Sequence, residues 1–195
     1  LVVEDEGIVA KDIENRLQKF GYHVCKTVAT GEDAIAQISE LKPDLVLVDI
    51  RLQGDMDGIA VAQILHHHFE LPVVYLTASS DEYIVTRALA THPFGYIVKP
   101  FREQELKTTI EIALNKYLVE QNLKQNKYWL RTVLKSINNG VIASDTEGKI
   151  TLMNPIAEAL TGWNRQDACG KEATEVVKII PTQTISEHPI QQALQ

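Results

Sequence analysis

The sequence predicts an α/β protein: a doubly wound parallel sheet, then a long helix, then a partial α+β module. Three observations carry this. Continuous apolar runs such as Leu45-Val46-Leu47-Val48 alternate with amphipathic stretches, and carboxylates stand where the runs stop. A strand covered on both faces loses its apolar/polar alternation and becomes a Val/Leu run. Strand and helix segments in alternation imply parallel pairing, because parallel neighbours need a crossover and crossovers are right-handed.

Taken in order, residues 1–3 read as strand and 7–19 as helix, with Ile8, Lys11, Asp12, Asn15, Arg16 and Leu17 dividing into two faces. Residues 23–28 are strand, 31–41 helix, 44–49 strand and 57–68 helix. Residues 72–77 are strand, 81–91 helix and 95–98 strand, and a long helix starts near Arg102. The helical pattern then runs without Gly or Pro to Gly140. Leu106, Ile110, Ala113 and Tyr117 form one apolar seam, and Leu123, Leu130, Leu134 and Ile137 a second at heptad spacing with Lys127 intruding. The two do not share a register, which implies a stutter or a break near Val119 to Asn122. A helix that dimerises as a parallel coiled coil and a solvated linker helix both fit this pattern. Beyond it, 140–144 and 150–153 read as two strands joined by a tight turn at Asp145-Thr146-Glu147-Gly148-Lys149, followed by a short helix after Asn154-Pro155.

A chain of 195 residues holds one domain and part of a second. Residues 1–100 carry 8 Lys/Arg against 15 Asp/Glu and residues 101–195 carry 11 against 11, so the net charge of −7 lies in the first part. An acidic surface is unsuited to nucleic acid, whose phosphates demand clustered Lys and Arg, and suits a divalent cation. No run approaches the roughly 18 apolar residues that span a bilayer, so no membrane partner is expected. Cys25 and Cys169 are too far apart in sequence to suggest a disulfide framework, which points to a reducing cytoplasm and to two small core hydrophobes. The chain opens without Met inside a strand-like run and stops at Gln195 with no closing element, so a piece of a longer protein is expected.

The strand ends carry the chemistry. The first strand ends in Glu4-Asp5, the third in Asp49, the fourth in Thr77-Ala78 and the fifth in Lys99-Pro100. In the flavodoxin-like order 2-1-3-4-5, strands one and three adjoin at the switch point, and these groups converge at the carboxyl edge. Crowded carboxylates repel unless a cation joins them. Hard oxygen ligands with few protein donors suit Mg²⁺, which keeps waters and takes one or two carboxylates plus a phosphate oxygen. With Lys99 as a second cation and Thr77 as a hydroxyl donor, the set fits phosphoryl transfer to a carboxylate nucleophile. His66-His67-His68 do not add a metal site: consecutive helical residues point about 100° apart. They suit a solvated helix C-terminus, which favours imidazolium.

Glu4-Asp5, Asp49, the Met56-Asp57-Gly58 turn, Thr77-Ala78, Tyr96 and Lys99-Pro100-Phe101, in this order and spacing, resemble the receiver domain of two-component response regulators. The resemblance covers 1–117. It implies that Asp49 is the phosphoacceptor, Asp5 a direct Mg²⁺ ligand, Glu4 a ligand mainly through water, and the backbone carbonyl of Arg51 a third protein ligand. It further implies that Lys99 pairs with the phosphoryl group or with Asp49, that the Lys99-Pro100 bond is cis, and that Thr77 and Tyr96 are a switch pair. Two loops depart from the family pattern. Residues 50–55 are one residue longer than usual and lack a proline, and His92-Pro93 replaces a Gly-Ala pair. Arg51 and Ser79 stand where the family tunes dephosphorylation.

The run from Asn139-Gly140-Val141 to Cys169-Gly170-Lys171, with Asn154, Gly162 and Gly170, is similar to the opening half of a PAS domain. Trp163 and Cys169 are expected in its packing. The implied layout is a receiver at 1–117, a linker or signalling helix at 118–137 and the N-terminal part of a PAS domain at 138–195. The implied function is phosphorelay signal transduction, with Mg²⁺ as cofactor and a histidine kinase or phosphotransfer protein as partner. A homodimer through the helix and PAS is also expected. The alternative is the regulatory part of a hybrid histidine kinase or another signalling enzyme whose catalytic domain lies beyond residue 195.

Overall fold

A computed structural model describes residues 1–78, 87–88 and 91–177, in two units, Leu1–Asn122 and Leu123–Gln195. In the first unit five strands pair in parallel in the order β2-β1-β3-β4-β5: β1 (Val2–Val3), β2 (Thr27–Val28), β3 (Val46–Asp49), β4 (Val73–Thr77) and β5 (Gly95–Val98). This is the flavodoxin-like order expected, the one in which the strand-end groups converge. The buried runs behave as two-sided strands. Val46, Val48, Val73 and Tyr75 enter one core with Ile38 of α2 (Gly31–Leu41) and Ile59 and Leu65 of α3 (Gly58–Phe69). Leu47, Val74 and Leu76 face the other way, against Ile13 and Leu17 of α1 (Gly7–Lys19). The period-2 geometry of a strand thus fills two separate layers from one apolar run.

The starts of α2 and α3 are set by side-chain caps. Thr30 accepts the Asp33 amide at 3.2 Å and Asp57 accepts the Ala60 amide at 2.8 Å, each serving a donor that the first turn leaves open. Strand β2 is shorter than the 23–28 expected, because its ladder partner β1 offers Val2 and Val3 alone for pairing. Of the expected helix at 81–91, Arg87 and Ala88 are helical and Thr91 is already in a turn; residues 81–86 and 89–90, like Ser79, lie outside the described residues. The histidine triplet occupies the last turn of α3 and is exposed, as a solvated helix end.

The long helix α4 (Glu103–Ser136) runs 34 residues without interruption, so the break considered near Val119 to Asn122 does not occur. Its first seam does not face a partner helix. Leu106, Ile110 and Ala113 are buried in the core of their own unit, and the Tyr117 ring meets Phe94 edge-on at 5.8 Å. The two seams fail to share a register because the first is the inward face of an ordinary closing helix. Exposed apolar side chains on α4 are Ile112, Leu118, Val119, Leu123, Tyr128, Trp129 and Leu130.

In the second unit β6 (Ile142–Ser144) and β7 (Ile150–Met153) pair antiparallel with a register shift at Ala143/Ser144. Their turn is closed by the Asp145 carboxylate, which accepts the Glu147 amide at 3.0 Å and the Lys149 amide at 2.9 Å. Gly148 takes the left-handed φ of 81° that this turn needs. Ile150, Met153, Ala157, Ala168, Ala173 and Val176 form the core, supplied by α5 (Pro155–Thr161), α6 (Arg165–Ala168) and α7 (Ala173–Val176). Trp163 packs against this core while only half-buried. Cys169 is exposed, contrary to the packing role expected, because it follows α6 where Ala168 already fills the buried position. Cys25 is half-buried against the first unit's core, and both thiols are free. Among the described residues no helix is long and apolar enough to cross a membrane.

Candidate functional site

Parallel pairing puts every strand's carboxyl end on one edge, and the acidic residues gather there. Glu4 follows β1, Asp49 closes β3, Thr77 closes β4 and Lys99 follows β5. Glu4, Asp49 and Thr77 are almost wholly buried. One carboxylate oxygen each from Glu4, Asp5 and Asp49 lies within 4.8 Å of the others. The Lys99 ammonium bridges two of the three, at 2.6 Å from Glu4 Oε2 and 2.5 Å from Asp49 Oδ2. Its backbone is fixed too: the Lys99 amide donates to the Thr77 carbonyl at 2.7 Å, and the Lys99-Pro100 bond is cis, as expected.

The other Asp49 oxygen, Oδ1, accepts the Arg51 amide at 2.9 Å. Arg51 therefore reaches Asp49 through its N–H, a contact the sequence reading did not name. Burial pushes the Glu4 carboxyl above its ordinary range; Lys99 pulls it back and the Asp49 charge pushes it up again. For Lys99 burial favours the neutral amine, yet its hydrogen bonds to Asp49 and Glu4 win and hold the ammonium above its ordinary value. One ammonium against three carboxylates leaves the cluster short of positive charge. Its donors are hard oxygens with two buried carboxylates, so they fit Mg²⁺.

Tyr96 stands apart from this cluster, on β5 and 59% exposed. Gly58 is the functional position that sequence reading passed over as part of a turn. A Cβ there would lie 1.9 Å from the Asp49 carbonyl oxygen, and the Gly58 amide donates to the Ile50 carbonyl at 3.0 Å. The start of α3 thus presses against the strand end that presents Asp49. An Asp-Gly pair opening a helix is the signal that marks such a close approach.

Comparison with known proteins agrees with this geometry. A model of the response regulator receiver domain matches residues 1–111, and a model of the PAS fold matches 129–194. A transcriptional regulatory protein, PdtaR of Mycobacterium tuberculosis, is 34% identical over 118 residues, 60% of this chain and 57% of that protein. The DNA-binding response regulator MtrA of Mycobacterium leprae is 34% identical over 116 residues, 60% of this chain and 51% of that protein. The chain spans about half the length of these curated relatives. Among solved structures, the signal receiver domain of a modulated diguanylate cyclase from Desulfovibrio desulfuricans G20 is 36% identical with a TM-score of 0.59, covering 61% of this chain and 94% of that one. The N-terminal domain of a response regulator/sensory box/GGDEF three-domain protein from Carboxydothermus hydrogenoformans is 41% identical with a TM-score of 0.56, covering 63% and 96%. The receiver match takes in all five parallel strands and the whole acidic edge, more than half of the chain, and the protein belongs to the response regulator receiver family, with a PAS fold after the receiver.

Proposed function

We propose that this receiver accepts a phosphoryl group on Asp49 from a histidine kinase or phosphotransfer protein and relays the change along α4 to the PAS fold. The observation that carries the reading is Asp49 itself, 4% exposed at the end of β3 and held between the Lys99 ammonium and the Arg51 amide. In the transfer an Asp49 oxygen attacks the phosphorus of a phosphoimidazole. The O–P bond forms as the N–P bond breaks, and the imidazole nitrogen keeps the electron pair. Glu4, Asp5, Asp49 and the Arg51 carbonyl would hold Mg²⁺, which supplies charge neutralisation to the phosphoryl oxygens when bound.

Lys99 orients the nucleophile and then has its ammonium beside the transferred group, while the Thr77 hydroxyl serves a second phosphoryl oxygen. Thr77 and Tyr96 act as the switch pair. The exposure of Tyr96 supports this, since its ring reorients without opening the core. The working division is receiver 1–117, helix 118–137 and PAS segment 138–195, acting in the cytoplasm without nucleic acid or membrane in this stretch. A second copy of the chain pairs through the helix and PAS; the exposed Leu123 and Leu130, one heptad apart, support that arrangement. The test is labelling by a phosphodonor: Asp49→Asn abolishes hydroxylamine-sensitive labelling, and undiminished labelling of that variant retires the reading.

A second reading makes the whole protein a signalling enzyme, with this chain as its regulatory part. Two similar structures belong to a diguanylate cyclase and to a protein with a GGDEF domain, whereas the curated relatives are described as transcriptional or DNA-binding regulators. The residues that follow Gln195 in the gene decide between them: a histidine-kinase or cyclic-dinucleotide catalytic domain supports the enzyme, and a basic helix-turn-helix the transcription factor.

A further inference from the structure

We infer that Arg16, on α1, is a positioning residue for phosphoryl transfer: it grips the Phe101 carbonyl and so fixes the segment that delivers the Lys99 ammonium to Asp49. The inference rests on the reading of Asp49 as phosphoacceptor. Arg16 Nη1 donates to the Phe101 carbonyl at 3.2 Å, Nη2 pairs with Asp12 at 2.7 Å, and the guanidinium lies over the Phe101 ring at 5.6 Å from its centroid. Lys99 sits two residues earlier, its amide bound to β4 through the Thr77 carbonyl at 2.7 Å. Pro100 between them has no N–H to offer. The segment 99–101 is therefore tied to β4 at one end and to α1 at the other.

Other polar contacts between α1 and the start of α4 are looser. Lys19 meets Glu103 at 3.4 Å with both side chains more than half exposed, and such pairs contribute little. The Arg16 side chain is only 24% exposed, and its Nε is buried without a hydrogen bond, so among the described residues Phe101 and Asp12 set the plane of the fork. A guanidinium serves two acceptors at a fixed angle, and a lysine ammonium is a point charge on a flexible stem. Lys99 has to meet both Glu4 and Asp49 at hydrogen-bond distance, and reacting groups tolerate little displacement.

The experiment follows labelling of the full chain by acetyl phosphate over a range of Mg²⁺ and donor concentrations, for wild type, Arg16→Lys, Asp12→Asn and Lys19→Ala. Arg16→Lys is expected to lower the rate at saturating donor roughly tenfold, with the half-saturating Mg²⁺ concentration unchanged. Asp12→Asn, a surface change that frees the fork from its anchor, is expected to shift the same rate in the same direction by a smaller factor. Lys19→Ala is expected to label at the wild-type rate. A saturating rate unchanged in Arg16→Lys, or a loss that only follows the unfolded fraction, overturns the inference. Should Arg16→Lys not fold, an unchanged rate in Asp12→Asn overturns it equally. Failure of the wild type to label is a different result, since it removes the Asp49 reading and this inference with it.

Discussion

Glu4 and Gly58 show what single residues contribute at the acidic edge. Burial raises the Glu4 carboxyl above its usual value, so the folded state holds that proton more tightly than the unfolded chain does. Folding stability therefore falls as pH rises from about 4.5 through the raised value, while the charge becomes costly in the folded state alone. Glu4→Gln removes that penalty. Urea unfolding in chelator should find the variant more stable than wild type at pH 7, and the difference should vanish below pH 4. Gly58 is set by space: any Cβ must displace the Asp49 carbonyl. Gly58→Ala is expected to cost about 2 kcal/mol in the same assay, in the range of overpacked core sites, and to slow labelling of Asp49 as well.

Asn154 has a comparable hold over the elements of the second unit. Its Oδ1 accepts the Val141 amide at 2.8 Å and caps α5 through the Ala157 amide at 2.9 Å. Its Nδ2 donates to the carbonyls of Leu134 at 3.1 Å and Asn139 at 3.0 Å. All four hydrogen-bonding sites of one amide are used, joining the last turn of α4 to the hairpin and to α5. Asn154→Ala deletes a cap and leaves part-buried partners unserved, at a combined cost of about 2 kcal/mol. Amide exchange should quicken at Val141 and Ala157 before it does in the receiver. Elements of this kind were only partly legible beforehand. Helices at 7–19 and 31–41 were readable to the residue, because apolar spacing marks both and Thr30 caps the second. Strand β2 was not, since its length depends on how far its partner runs. The seam at Leu106 to Tyr117 was visible as apolar, but spacing alone does not say whether a neighbouring helix or the chain's own sheet covers it. At the site, Glu4, Asp5, Asp49 and Lys99 followed from strand ends, whereas the Arg51 amide and the bridging of Glu4 by Lys99 depend on loop geometry that no motif encodes.

On the scale of the whole molecule, a group of weak acids holds its protons against base. Tyr22 and Tyr75 are pushed up by burial, and Lys99 is held up by the two carboxylates it bridges. Each keeps its proton in the folded chain at a pH where the unfolded chain has lost it. These three groups therefore leave stability unchanged up to about pH 9 and lower it steeply above pH 10, which thermal unfolding across pH 8 to 11 checks. The exposed apolar residues of α4 bear on assembly. Replacing Leu123 and Leu130 together by Glu should leave the thermal transition of the receiver in place and reduce any dimer, read as mass in solution. Trp129 and Trp163 both lie beyond Asn122, so their fluorescence reports events outside the unit that carries Asp49.

Beryllofluoride, a phosphoryl mimic, tests the central claim most directly when titrated with Mg²⁺ into the wild-type chain and into Asp49→Ala, following tryptophan fluorescence and mass. The account predicts a saturable, Mg²⁺-dependent fluorescence change in the wild type that Asp49→Ala does not show. No response in the wild type, or the same response in both, would contradict it.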